Sequence, residues 1–132
     1  MKDPNNPCIF CSIRKNELIF ENSLAYASKD SYPVTKFHSL VVPKRCVKNY
    51  FELNDKEILA CDDLIKKLQQ KITSEDITVK GFNVGTNSGK VAGQSIFHCH
   101  IHVIPRREGD VKNPQGGVRS VIPSKQHYIR KK

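Results

Sequence analysis

The chain has 132 residues, of which 38% are hydrophobic and none is Trp, and its formal net charge is +9. That length holds one domain with one modest core, and the apolar content excludes a disordered chain. The charge favours polyanions such as phosphates, nucleotides or nucleic acid. Residues 1–7 lack the apolar run of a secretory leader, and nothing approaches the length of a membrane span. Five cysteines, an odd number, argue against a disulfide scaffold. A reducing, cytoplasmic setting is expected, with cysteines binding metal or staying free.

In chain order, residues 1–7 read as a disordered lead and Cys8 to Arg14 as a short helical turn. Leu18 to Phe20 and Ser23 to Ser28 read as strands around a polar turn. Phe37 to Val42 reads as a strand that Pro43 ends. Asn54 and Glu57 form a capping-box pattern, after which Ile58, Cys61, Leu64, Ile65, Leu68 and Ile72 recur at helical spacing. This predicts one long helix from Asp55 to about Lys71, with Asp62, Asp63, Lys66 and Lys67 on its wet side. Thr78 to Gly85 and Ile96 to Ile104 read as strands, the second ended by Pro105. Residues 110–132 read as a loop-like basic extension. The order of strands, one helix, then strands predicts an α+β domain over 1–132 with an antiparallel sheet.

Strand alternation would place His98, His100 and His102 on one face, roughly 6.5–7 Å apart, with Cys99 and Ile101 on the other. Histidine serves as nucleophile, acid, base, metal ligand or phosphate partner near neutral pH. Three of five histidines in one such row point to an active site rather than a surface strand. A catalytic zinc held by all three is the rival. Cys8-x-x-Cys11 is a metal-knuckle spacing that needs further ligands. Cys61 falls on the apolar helix stripe and is expected in the core.

The run His98-Cys99-His100-Ile101-His102-Val103-Ile104 resembles the signature of the histidine triad (HIT) superfamily. The likeness extends from about Cys8 to Gly109. Gly93-Gln94-Ser95 matches the family's upstream Gly-Gln-[Ser/Thr], Asn87 and Gly89 its Asn-x-Gly loop, and His38-Ser39-Leu40-Val41-Val42-Pro43-Lys44 its His-x-Leu-Val-x-Pro-Lys strand. The resemblance implies a HIT-like fold: a five-stranded antiparallel sheet, one long helix and a short N-terminal helical turn. It also implies His100 as a nucleophile that forms a nucleotidyl-histidine at the α-phosphorus. His38 and His102 would be phosphate donors, and Gln94 and Ser95 would position phosphate and leaving group. Asp30 would hold the ribose, Asn87 and Gly93 would lie by the phosphates, and Phe10 and Ile19 would form the base slot.

After the triad, Ile104-Pro105-Arg106-Arg107-Glu108-Gly109-Asp110 resembles the Fhit-like branch and its bacterial relatives. Diadenosine-polyphosphate hydrolysis is therefore expected, with a Hint-like phosphoramidase as the alternative. Zinc-bearing relatives carry a Cys-x-x-Cys, a histidine after the Pro-Lys strand end and the first triad histidine as ligands. Here Cys46 stands at the second of these places, and thiolate is an excellent zinc ligand. The expectation is a structural zinc on Cys8, Cys11, Cys46 and His98, with no organic cofactor. The resemblance implies a homodimer, and no membrane partner is expected. A nucleic-acid-binding module with incidental hydrolysis fits the charge, but no aromatic-rich binding strand supports it.

Overall fold

The computed structural model describes residues 8–13 and 15–131; the lead at 1–7 lies outside them. The sheet is built from β1 (Leu18–Glu21), β2 (Ala25–Lys29), β3 (Ser39–Pro43), β4 (Val79–Gly85) and β5 (Ile101–Arg107). One long helix, α1 (Asp55–Glu75), joins β3 to β4. The strand order is β1-β2-β3-β5-β4 and every pairing is antiparallel. The last strand therefore enters between β3 and β4.

Helix α1 starts where the capping box predicts. Asn54 accepts the Glu57 N–H, and the Glu57 carboxylate accepts the Asn54 N–H. Such a cap contributes about 1 kcal/mol. Glu57 is buried and takes two bonds from Arg45, so helix start and β3 exit are tied together. That guanidinium holds the Glu57 carboxyl below the usual range. The helix runs a full turn past Lys71, to Glu75. Cys61, Leu64, Leu68 and Ile72 face Ala25, Ala27, Val41, Ile101 and Val103 from the sheet, as the helical spacing predicts.

The opposite face of the sheet carries Tyr26, Leu40 and Val42 and belongs to the site. Two strand expectations are corrected there. Pro105 does not end β5; it lies within it, opposite Phe82. Pairing with β3 stops at Val103, so beyond it a missing N–H is tolerated on the unpaired side. Nor does β5 begin at Ile96. His98, Cys99 and His100 precede it, and the Cys99 N–H bonds the Val47 carbonyl outside the sheet at 2.8 Å. The last 22 described residues are more ordered than a loop. They contain 3-10 turns at Gly117–Val121 and Pro123–Lys125. Arg119 donates to the carbonyls of Lys125 and Gln126 and stacks over the Tyr128 ring.

Candidate active site and metal centre

His98 connects two regions. Its side chain is fully buried. Nε2 faces the Pro43 carbonyl at 2.7 Å, so Nε2 carries the hydrogen and donates. Nδ1 then presents a lone pair, 3.3 Å from Cys8 Sγ and 3.5 Å from Cys11 Sγ. With Cys46, the four ligand atoms all lie within 4.8 Å of one another. A tetrahedral zinc with bonds of about 2.0–2.3 Å sets its ligand atoms roughly 3.3–3.8 Å apart. A metal-bound imidazole also donates its far N–H to a carbonyl or carboxylate, as His98 does here. Burial and the neighbouring thiols push the Cys46 thiol up to about 12. A dication would reverse that logic and favour thiolates. The donor set fits zinc.

The backbone of His98 serves the other side. Its carbonyl accepts the Nδ1–H of His100 at 2.8 Å. His100 thus has its hydrogen on Nδ1 and its lone pair on Nε2, the arrangement a nucleophilic imidazole needs. The Thr86 hydroxyl bonds the His100 carbonyl at 2.7 Å and fixes the strand entry. Phe10 packs between the regions, its ring 4.9 Å from that of His100 and 6.0 Å from that of His98. The Tyr26 hydroxyl donates to the Phe10 carbonyl at 2.6 Å and anchors the knuckle turn to β2.

A second cluster lies beside His100. The His100 and His102 rings are 5.3 Å apart. His102 Nδ1 is 2.9 Å from His38 Nε2. Asp30 Oδ2 is 3.2 Å from His38 Nε2 and 3.7 Å from His102 Nδ1. These spacings suit a metal, and Asp30, His38 and His102 form such a group. The far nitrogen argues otherwise. His38 Nδ1 accepts the Val34 N–H at 3.0 Å. The His38 hydrogen therefore sits on Nε2, where a metal would have to bind. The hydrogen points to His102, whose own Nε2–H is left to donate elsewhere. Phe37, at φ 73° the only non-glycine with positive φ among the described residues, turns the chain into His38.

Two cavities flank His102. One, of about 1070 Å³, is lined by Phe10, Asp30, Asn87, Gly93, Ser95 and His100, with Ile9, Ile13, Leu40 and Ile96 as an apolar wall. The other, of about 850 Å³, lies under the C-terminal extension. His102 and Asn87 line both.

The structure thus gathers Phe10, Asp30, Asn87, Gly93, Ser95, His100 and His102 around one space, with His38 behind His102. Two expected residues stand elsewhere. Ile19 packs toward the α1 core, across a β-bulge in β1, and Leu40 and Ile13 take its place at the apolar wall. Gln94 is buried. Its amide nitrogen bonds the Lys48 and Ile96 carbonyls, and its oxygen accepts the Gly89 N–H, so it shapes the loop. Leu40 was legible as an apolar residue beside His38; the placing of Val34 had no signal. The strand-face reading of the three histidines is also corrected. Only His102 lies in β5, and His98 turns away toward the cysteines.

Comparison with known proteins identifies this architecture. The HIT domain model matches residues 13–109, and the chain belongs to that family. A HIT-like protein of Mycoplasma pneumoniae is 37% identical over 108 residues, covering 79% of this chain and 74% of its own. An adenosine 5'-monophosphoramidase of Schizosaccharomyces pombe is 35% identical over 75% of this chain and 74% of its own. The zinc-bound HIT protein of Mycobacterium smegmatis superposes with a TM-score of 0.71 at 29% identity, over 79% of this chain and 78% of its own. The chain is a nucleotide-handling HIT protein, and a cysteine–histidine cluster compatible with zinc adjoins its histidines.

Proposed function

We propose that this protein cleaves nucleoside 5'-phosphoryl compounds at the α-phosphorus through a nucleotidyl-His100 intermediate and releases the nucleoside monophosphate. The observation that carries this is the tautomer of His100. Its Nδ1–H is held by the His98 carbonyl, and its Nε2 lone pair is free at the mouth of a nucleoside-sized cavity. His102 Nε2–H and the Asn87 amide line that cavity and are the donors to the developing charge in this reading. Ser95 lines the same space.

Within that class, diadenosine polyphosphates are the first substrates to assay. The cavity on the far side of His102 is large and mostly apolar, which suits a second nucleoside. Arg106 and Arg107 are engaged within the chain and do not offer their charge to a polyphosphate. Arg106 is held by Asp110 and Asn83, and Arg107 by Asp76, Thr35 and the Lys36 carbonyl. Lys112 is the remaining cation of that cavity. A second reading, phosphoramidate hydrolysis, is favoured by the hydrogen-bonded His38–His102 pair beside the nucleophile and is the activity named for the fission-yeast relative.

A panel of diadenosine polyphosphates and adenosine phosphoramidates tests the reading on wild type and His100→Ala. Wild type releases AMP and traps a covalent adduct; His100→Ala loses on the order of 10³-fold or more. Equal turnover by both, with no adduct, refutes it.

The same reading includes a structural zinc on Cys8, Cys11, Cys46 and His98 that holds the knuckle against the catalytic strand. It also includes a homodimer, supported by the family resemblance and by the β4 edge, which has no sheet partner among the described residues and exposes Val84. Sedimentation of the purified protein checks the dimer. No helix among the described residues is long and apolar enough to cross a membrane.

A further inference from the structure

The His38–His102 pair has a limited number of places for hydrogens. Four ring nitrogens are involved. His38 Nδ1 accepts the Val34 N–H and stays bare. A neutral pair needs only two hydrogens, one on His38 Nε2 pointing at His102 Nδ1 and one on His102 Nε2. A cationic pair needs a third, and the one nitrogen left is His102 Nδ1. Two N–H groups would then face each other across 2.9 Å. One of them must find another acceptor. Asp30 Oδ2, within 3.2 Å of one nitrogen and 3.7 Å of the other, is that acceptor. Its partner oxygen is fixed by the Tyr32 N–H at 2.7 Å.

The surroundings make a charged acceptor necessary. Burial draws both imidazoles below their ordinary range, His100 and His38 draw His102 further down, and Asp30 opposes this for both rings. Lys29 and Lys112 line the two adjoining cavities. Arg106 is neutralised by Asp110, and Arg107 by Asp76.

We propose that Asp30 is a positioning residue that lets the His38–His102 pair hold its third hydrogen, so that His102 delivers it to the departing atom. The site is thereby suited to leaving groups that need a proton to depart, such as amines on the α-phosphorus of a nucleotide. This rests on the nucleotidyl-His100 reading and gives Asp30 a task other than holding ribose. In the first step the His100 Nε2 lone pair forms the N–P bond. The bond from phosphorus to the leaving nitrogen breaks with its electron pair, and that nitrogen takes the hydrogen from His102 Nε2. His102 keeps its Nδ1–H. In the second step water bonds phosphorus and gives a hydrogen to His102 Nε2, while the P–His100 bond returns its electrons to His100. One water is consumed, an amine and a nucleoside monophosphate leave, and the pair is cationic again.

Two substrates with the same nucleoside test this, an alkylamine phosphoramidate and a 4-nitrophenyl ester that leaves without a proton. In Asp30→Asn, kcat/KM for the phosphoramidate falls about 100-fold, as expected for lost general-acid catalysis. The ester loses far less, and the basic limb of the phosphoramidate pH profile moves to lower pH. Asp30→Glu, which keeps the charge, recovers part of the loss. Equal losses on both substrates, as ribose holding or a structural fault would give, overturn the proposal. An NMR titration of the His102 ring gives a second readout: its protonation moves to lower pH in Asp30→Asn, and an unmoved titration also overturns the proposal. Failure of the nucleotidyl reading shows separately, as wild-type protein that forms no adduct from either substrate.

Discussion

Two clusters of metal-ligating side chains stand on either side of His100, and the nitrogen facing away from each cluster separates their chemistry. His98 donates its far N–H to the Pro43 carbonyl and so offers a lone pair to Cys8, Cys11 and Cys46. His38 accepts a backbone N–H at its far nitrogen and so offers a hydrogen to His102 and Asp30. Ligand spacing alone would make both metal sites. One backbone group behind each ring makes the first compatible with a cation and suits the second to protons.

The sharpest test of that difference is metal content. Cys11→Ser should reduce bound zinc from one per chain to near none and lower the Tm by more than about 10 °C, since zinc binding is folding free energy. His102→Ala should keep its zinc. Two ions per wild-type chain, one lost with His102→Ala, would break the comparison. The next largest effect is Phe10→Ala. This buried ring touches both regions, and its loss should cost about 3–5 kcal/mol in a urea titration. An unchanged midpoint would show that the regions are not joined through it. His38→Ala comes third: about 10- to 100-fold slower turnover of amine-leaving substrates, with zinc content as in wild type.

Acid titration gives smaller effects. His38 has a folded pKa below its ordinary value because burial disfavours the cation. Its contribution to stability is complete above the unfolded value near ~6.5 and falls as pH drops below it. Asp30→Asn should steepen that fall, measured by denaturant midpoints at neutral and mildly acid pH. Asp76, held at about 2 by Thr78 and Arg107, behaves as depressed carboxylates do. Its contribution is present above the unfolded value near ~3.8 and is lost as pH falls through the folded one. Asp76→Asn should flatten the acid limb there and leave metal binding alone.

Much of this was legible in the residues. The capping box located the start of α1, and the helical spacing located its buried face. Cys8-x-x-Cys11 and the His98–His102 run marked the two clusters, and Cys46 completed the first through the family resemblance. The sequence reads as one strand through all three histidines because alternating histidine and apolar residues look like a strand face. The Cys8–Cys11 knuckle and the Pro43 carbonyl claim the His98 ring, and the chain settles into the sheet only at Ile101. Ile19, which the resemblance puts at the base slot, packs toward the core at a bulge in β1. Gln94 is expected to position phosphate and leaving group, and nothing local signals that the Lys48 carbonyl lies within reach of its amide. The Asp30–His38 contact depends on the turn at Val34 and the left-handed Phe37, and neither residue type announces that geometry.

The strand order also bears on how the molecule is made. Strand β4 pairs with β5 alone, so it has no partner in the sheet until the chain is synthesised through about Arg107. Cys8 is among the first described residues to emerge, and the ring it faces, His98, comes 90 positions later. During synthesis, both the thiol cluster and the imidazole cluster wait for one late segment. A chain cut short before it would carry exposed cysteines and an unfinished sheet, with neither His98 nor His100 in place.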